Sequence, residues 1–271
     1  MDEATLYTQG KAFLVALAYS QPRILGMFIA IPIFGRAQLP GMLRLGVAAG
    51  FGALVAPTLM PQVTSAGPDG AVVFLILVKE AIVGFILGFM VAIPFWVFEA
   101  IGFLIDNQRG ASIAASLNPL TGNDSSPLGI LFNQAFIVFF FVSGGFLLLL
   151  EVMYESFRLW NVFSWAPVLH EGAAPFFLEQ LMRIVRTALV LSAPAIVAMF
   201  LSEMGLALVS RFVPQLQVFF MAMPIKSALA LLVLILYMTT LFDYTGSQLQ
   251  QLREIVPALD GQWRSSAGGG R

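Results

Sequence analysis

AVVFLILVKEAIVGFILGFMVAIPFWVFEAIGFLI, Ala71 to Ile105, decides the fold. Its apolar residues run on without strict alternation, which argues for a helix and against a barrel strand. Crossing the hydrocarbon core takes about 20 residues of helix, so the run is long enough to span a bilayer. Similar segments occur at 12–34, 41–60, 128–150, 180–209 and 215–241, making six with this one. The expected fold is therefore an all-α membrane protein of about six hydrophobic helical segments.

Composition agrees. Of 271 residues, 59% are hydrophobic and 11% charged, with a mean hydropathy of +0.88. Soluble domains are about half apolar and about a quarter charged. The net charge of −1 gives no footprint for a nucleic-acid partner. With no cysteine there is no disulfide, thiolate metal site or thiol nucleophile. The opening MDEATLYTQGKAF is acidic and does not read as a removable signal peptide.

The segments are poor lipid-facing helices, however. Pro22, Pro32, Pro57, Pro94, Pro194 and Pro224 fall inside five of the six, and each removes a backbone hydrogen bond and favours a kink. Arg23, Lys79, Glu80, Glu203 and Lys226 lie within them too. A charge at mid-membrane costs at least about 2.5–3.5 kcal/mol, so these groups must face protein or water. Arg23 can equally reach a headgroup by snorkelling. Lys79 and Glu80, deep in a long run, are expected to be buried against other subunits. Gly46-x-x-x-Gly50 and Gly84-x-x-x-Gly88 would let helix backbones approach closely.

With six spans, Lys11, Arg158, Arg183, Arg186, Arg253, Arg264 and Arg271 collect on one side, against Arg36, Arg44, Arg109 and Arg211. That bias favours cytoplasmic termini. EVMYESFRLWNVFSWAPVLHEG, 151–172, puts Glu151, Glu155 and Arg158 on one helical face and Met153, Phe157 and Trp160 on another. It reads as an amphipathic interfacial connector. Residues 1–255 are expected to form one helical domain, followed by a polar tail, 256–271, with a disordered end.

Chemistry-bearing motifs are sparse. His170-Glu171-Gly172 starts like a zinc motif, but there is no second histidine. Ser143 with His170 would suggest an intramembrane hydrolase, a disfavoured reading because His170 lies in the connector. No phosphate-binding or dinucleotide loop is present, and neither cofactor nor metal is expected. Two classes remain: a structural subunit of a larger conduit, or an independent secondary transporter or channel. Transporters often show internal repeats, and the two halves here are not self-similar.

Two long stretches carry a family resemblance. DNQRGASIAASLNPLTGNDSSPLG, Asp106–Gly129, followed by VSGGFLLLLE, resembles the T subunit of the type III secretion export apparatus (SctT), homologous to flagellar FliR. RFVPQLQVFFMAMPIKSALALLVL, Arg211–Leu234, resembles that family's P-Q-L-x-V-F-F…M-P-I-K-S signature. A weaker match runs from Arg23–Phe34 into FGRAQLPGMLRLG, Phe34–Gly46, and the whole covers about 10–255. Phe146, where the flagellar branch usually has histidine, favours the injectisome branch.

The resemblance implies a non-enzymatic subunit of an inner-membrane export gate, raised in part into the periplasmic base. Implied partners are the R and S subunits, the U subunit, the large export-gate protein, membrane lipid and unfolded protein substrates. It also implies a plug or constriction in the polar loop, with Asp106, Gln108, Arg109, Gly110, Ser112, Ser116, Asn118, Pro119, Gly122, Asn123 and Ser125 lining it. Small polar side chains there would grip no particular substrate, with Gly110 and Gly122 as hinges and Pro119 and Pro127 limiting collapse. A solvent-exposed connector is the alternative, although loops beyond about 12–15 residues are usually functional or disordered. Pro224 and Lys226 of the signature, with Glu203, are expected at a charge contact. Lys226 would pair with Glu203 or, preferably, with an acid on a partner.

Overall fold

The computed structural model describes residues 3–35, 38–65, 70–110, 126–165, 173–212, 218–250 and 255–264. Among them there is no strand. Eight helices follow one another: α1 (Glu3–Ala30), α2 (Gly41–Ser65), α3 (Gly70–Arg109), α4 (Pro127–Val142), α5 (Gly145–Leu159), α6 (Ala173–Phe212), α7 (Val218–Gln250) and α8 (Ile255–Arg264). Five of them are long and apolar enough to cross a membrane, or six spans if α4 and α5 count as one broken span. The protein is thus the all-α membrane protein its composition implies.

α3 and α6 have 40 residues each. At about 1.5 Å per residue such a helix rises about 60 Å, twice the hydrocarbon thickness of about 30 Å. Both carry a basic residue in the last turn, Arg109 and Arg211, the sign that favours a helix C-terminus.

The fourth hydrophobic segment does not run straight into an amphipathic connector at residue 151. It breaks earlier, between Val142 and Gly145, where α4 ends and α5 begins. Gly144 has φ +81°, a conformation that a side chain resists. Leu147 to Leu150 and the amphipathic stretch that follows are therefore one helix, α5.

The chain divides into two compact units. The first holds α1, α2, α3 as far as Ala92, α5 and α8. Here the small residues do their packing: a Cβ on Gly84 would strike the backbone carbonyl of Arg23, and one on Gly88 the backbone of Met27. The Gly84-x-x-x-Gly88 face is therefore the seat of α1. Gly46 and Gly50 meet nothing within 4 Å. Phe28 stacks on Phe34 at 3.7 Å, and Tyr19 meets Phe163 edge-on at 5.1 Å. Of the polar C-terminal segment, 255–264 is the helix α8, with Val256 and Leu259 buried. Residues 265–271 lie outside the described part.

The second unit holds α3 from Ile93, α4, α6 from Phe176 and α7 to Leu249. Its core is aromatic. Phe136 sits 4.5 Å from Phe95 and 4.8 Å from Phe98, and Phe95, Phe136 and Phe140 are fully buried. Such ring pairs add about 0.5–1.5 kcal/mol each beyond area burial. A Cβ at Gly102 would collide with the backbone at Leu128 and Gly129, so α3 and α4 touch backbone to backbone. α7, by contrast, buries only 22% of its apolar stretch. Ile235 and Leu236 are over 70% exposed, leaving a broad apolar face toward lipid or other protein.

Candidate functional site: an anchored polar loop and intramembrane charges

The polar loop opens where α3 ends and closes where α4 begins. Gly110, φ +86°, ends α3 in the left-handed conformation, a position glycine fills without strain. At the far end Ser126 caps α4, its Oγ accepting from the Gly129 N–H at 2.8 Å, with Pro127 in the first turn. Asp106 joins the two ends. Its Oδ2 accepts from Ser126 Oγ at 2.6 Å and from the Leu128 N–H at 2.9 Å. Its Oδ1 lies 2.7 Å from Arg109 Nε. The carboxylate thus serves the orphan donors of α4, where negative charge is favoured.

Asp106 is 3% exposed. It and Arg109, read from the sequence as lining residues, form the loop's anchor. Gln108 is half-buried on the last turn of α3, and Gly110 is the terminator. Ser112, Ser116, Asn118, Pro119, Gly122, Asn123 and Ser125 lie outside the described residues, as does His170. Ser143 donates from Oγ to the Phe140 carbonyl at 3.3 Å.

A second cluster lies in the first unit. Arg23 is fully buried and does not snorkel. Its Nε donates to Glu80 Oε2 at 2.6 Å. Nη1 donates to the Ser156 carbonyl at 2.7 Å and Nη2 to that of Trp160 at 2.9 Å. The guanidinium also lies 4.2 Å from the centre of the Phe157 ring. Arg23 therefore caps the C-terminus of α5 with positive charge while neutralising Glu80 on α3.

Lys79 completes the group. Its Nζ is 2.8 Å from Glu80 Oε1 and donates to the Val162 and Ser164 carbonyls at 2.7 and 2.8 Å. The sequence pointed Lys79 and Glu80 toward other subunits. Glu80 is instead enclosed by its own chain, because two cations and the turn after α5 reach it there. Trp160 further donates from Nε1 to Asp260 of α8 at 3.1 Å. Sequence reasoning missed these partners. The pairing of Arg23 with Ser156 spans 133 residues, and no local pattern announces it.

The signature lysine has a partner in the second unit: Lys226 Nζ is 3.1 Å from Glu203 Oε2. Lys226 is nearly buried while the Glu203 side chain is 49% exposed, so this carboxylate faces outward as well. Pro224 lies inside α7, two residues before Lys226. Also missed was Glu99, whose Oε2 accepts from Asn133 Nδ2 at 2.9 Å. The signal available was a carboxylate inside the 71–105 run. No group of His, Cys, Asp and Glu suited to a metal occurs among the described residues.

These features define a multi-pass helical membrane protein that neutralises its core charges within its own helices and pins its longest polar loop at both ends. Residues 14–252 match the family described as bacterial export proteins, family 1, and the chain belongs to that family. It is 38% identical over 244 residues to Yop proteins translocation protein T of Yersinia pestis, covering 88% of this chain and 93% of that one. It is 32% identical to the surface presentation of antigens protein SpaR of Shigella flexneri, covering 89% and 92%. The flagellar biosynthetic protein FliR of Bacillus subtilis is 32% identical, over 81% and 85%.

Proposed function

We propose that this chain is a non-enzymatic subunit of the inner-membrane export gate of an injectisome-type protein secretion system. It would form part of the conduit for unfolded effector proteins. The observation that carries this reading is similarity along nearly the whole chain to proteins named for translocation, antigen presentation and flagellar biosynthesis. The higher identity to translocation protein T than to FliR supports the injectisome branch.

The physics is in keeping with it. Helices of about 60 Å exceed a bilayer, which suits a body raised in part toward the periplasm. Their broad apolar faces suit packing on the R and S subunits, the U subunit and the large export-gate protein. The loop after Gly110, held at its base by Asp106, acts as a plug that yields to substrate without losing its anchor. Ser112, Ser116, Asn118, Pro119, Gly122, Asn123 and Ser125 would line the constriction.

The test is deletion of 111–123 with Asp106 and Ser126 kept. Membranes carrying the assembled gate should then leak ions while assembly stays intact. Unchanged conductance would remove the plug role. Solute flux through the purified chain alone would favour an independent channel.

A further inference from the structure

α3 and α4 form a groove in the second unit that holds a carboxylate with no cation among the described residues. The groove is a cavity of about 460 Å³ lined by Trp96, Glu99, Phe103, Ser126 and Ile130, among others. Residues 96, 99 and 103 are turns of one helical face. Asn133 spends its amide N–H on Glu99, leaving its Oδ1 buried with no partner. The Glu99 side chain is exposed on the same face, and among the described residues no cation pairs with it. Glu99 thus carries a charge that no cation among the described residues compensates, its side-chain donor being the neutral amide of Asn133. Phe103 and Ile130 beside them are 46% and 48% exposed.

A carboxylate without a cation is unfavourable in a membrane segment. The other intramembrane acid of α3, Glu80, has two cations of its own. We propose that the groove seats a transmembrane helix of a partner subunit, and that a Lys or Arg on that helix pairs with the Glu99 carboxylate. The ammonium or guanidinium supplies several donors from one charge. The flanking Phe103 and Ile130 receive the helix's apolar side chains. Charge complementarity selects a basic occupant and rejects an acidic one, which is how a groove between otherwise similar helices chooses its neighbour.

The inference rests on the proposed role as a gate subunit, and the experiment separates the two. A photo-crosslinking residue is placed at Ile130, and in a second strain at Phe103, in the full-length chain expressed with the rest of its apparatus. Crosslinked peptides from the membranes are mapped by mass spectrometry. Wild type should yield a partner helix, crosslinked within about one turn of a Lys or Arg. Glu99→Lys should lower that yield about tenfold, the effect of one unfavourable charge contact. The chain's own abundance should hold steady. Glu99→Asp should lower the yield less, and reversing the partner's basic residue to Glu should restore crosslinking to Glu99→Lys. Crosslinks to lipid alone, or an equal yield from Glu99→Lys, would overturn the inference while leaving the gate role intact if the complex still co-purifies. Failure of the wild-type chain to co-purify with any export subunit would overturn both.

Discussion

Replacing Glu80 by Gln tests the buried charge cluster most sharply. The carboxylate is fully enclosed and compensates two cations, Arg23 at 2.6 Å and Lys79 at 2.8 Å. Gln keeps the shape and one acceptor but leaves two positive charges facing each other in a dry site. Breaking a buried pair by removing one partner costs about 3–5 kcal/mol. Arg23 retains the Ser156 and Trp160 carbonyls, which places the expected loss at the lower end, about 3 kcal/mol. That corresponds to a hundredfold or larger shift in the unfolding equilibrium, at about 1.4 kcal/mol per decade.

The assay is unfolding of the purified chain by added SDS, followed by tryptophan fluorescence. A double-mutant cycle with Lys79→Met isolates the pair. Removing the second cation should recover part of the loss, so that the double variant is more stable than Glu80→Gln alone. A Glu80→Gln midpoint equal to wild type, or strictly additive losses, would refute the reasoning.

Three further outcomes follow from the same geometry. Gly84→Leu should separate α1 from α3 and lower chain abundance, an overpacking cost of about 1–3 kcal/mol or more. Gly46→Leu, which meets nothing within 4 Å, should leave abundance unchanged on a membrane immunoblot. Asp106→Ala removes the acceptor that ties Ser126 and Leu128 to α3, so the thermal midpoint of the assembled complex should fall by the equivalent of about 1–2 kcal/mol; Asp106→Asn, keeping an acceptor, should lose less. Lys226→Glu or Glu203→Lys should each reduce assembly and the double swap should restore it, read as co-purification of the complex. Wild-type assembly of Lys226→Glu would remove any role for that contact.

The helices themselves were legible. Apolar runs at 71–105, 180–209 and 215–241 became α3, α6 and α7, because length and composition settle a spanning helix. The break at Gly144 was not placed, since the apolar run Phe146–Leu150 continues past it and hydrophobicity does not register a left-handed backbone. Glu203 beside Lys226 was readable as one of two pairings, both residues lying within adjacent segments. Arg23 was not, because its partners are two carbonyls and a carboxylate far off in the chain, and a carbonyl carries no sequence signature. Asp106 looked like a loop residue because it begins the polar stretch. Its role as anchor depends on Ser126 and Leu128 returning to meet it, a property of closure that composition does not encode.

Membership of a gate is tested most directly by gentle detergent extraction of the chain with native mass spectrometry of what accompanies it. One defined complex with the small membrane subunits of an export gate, at fixed stoichiometry, is the result expected. A chain that emerges alone, or bound only to copies of itself, would contradict the account.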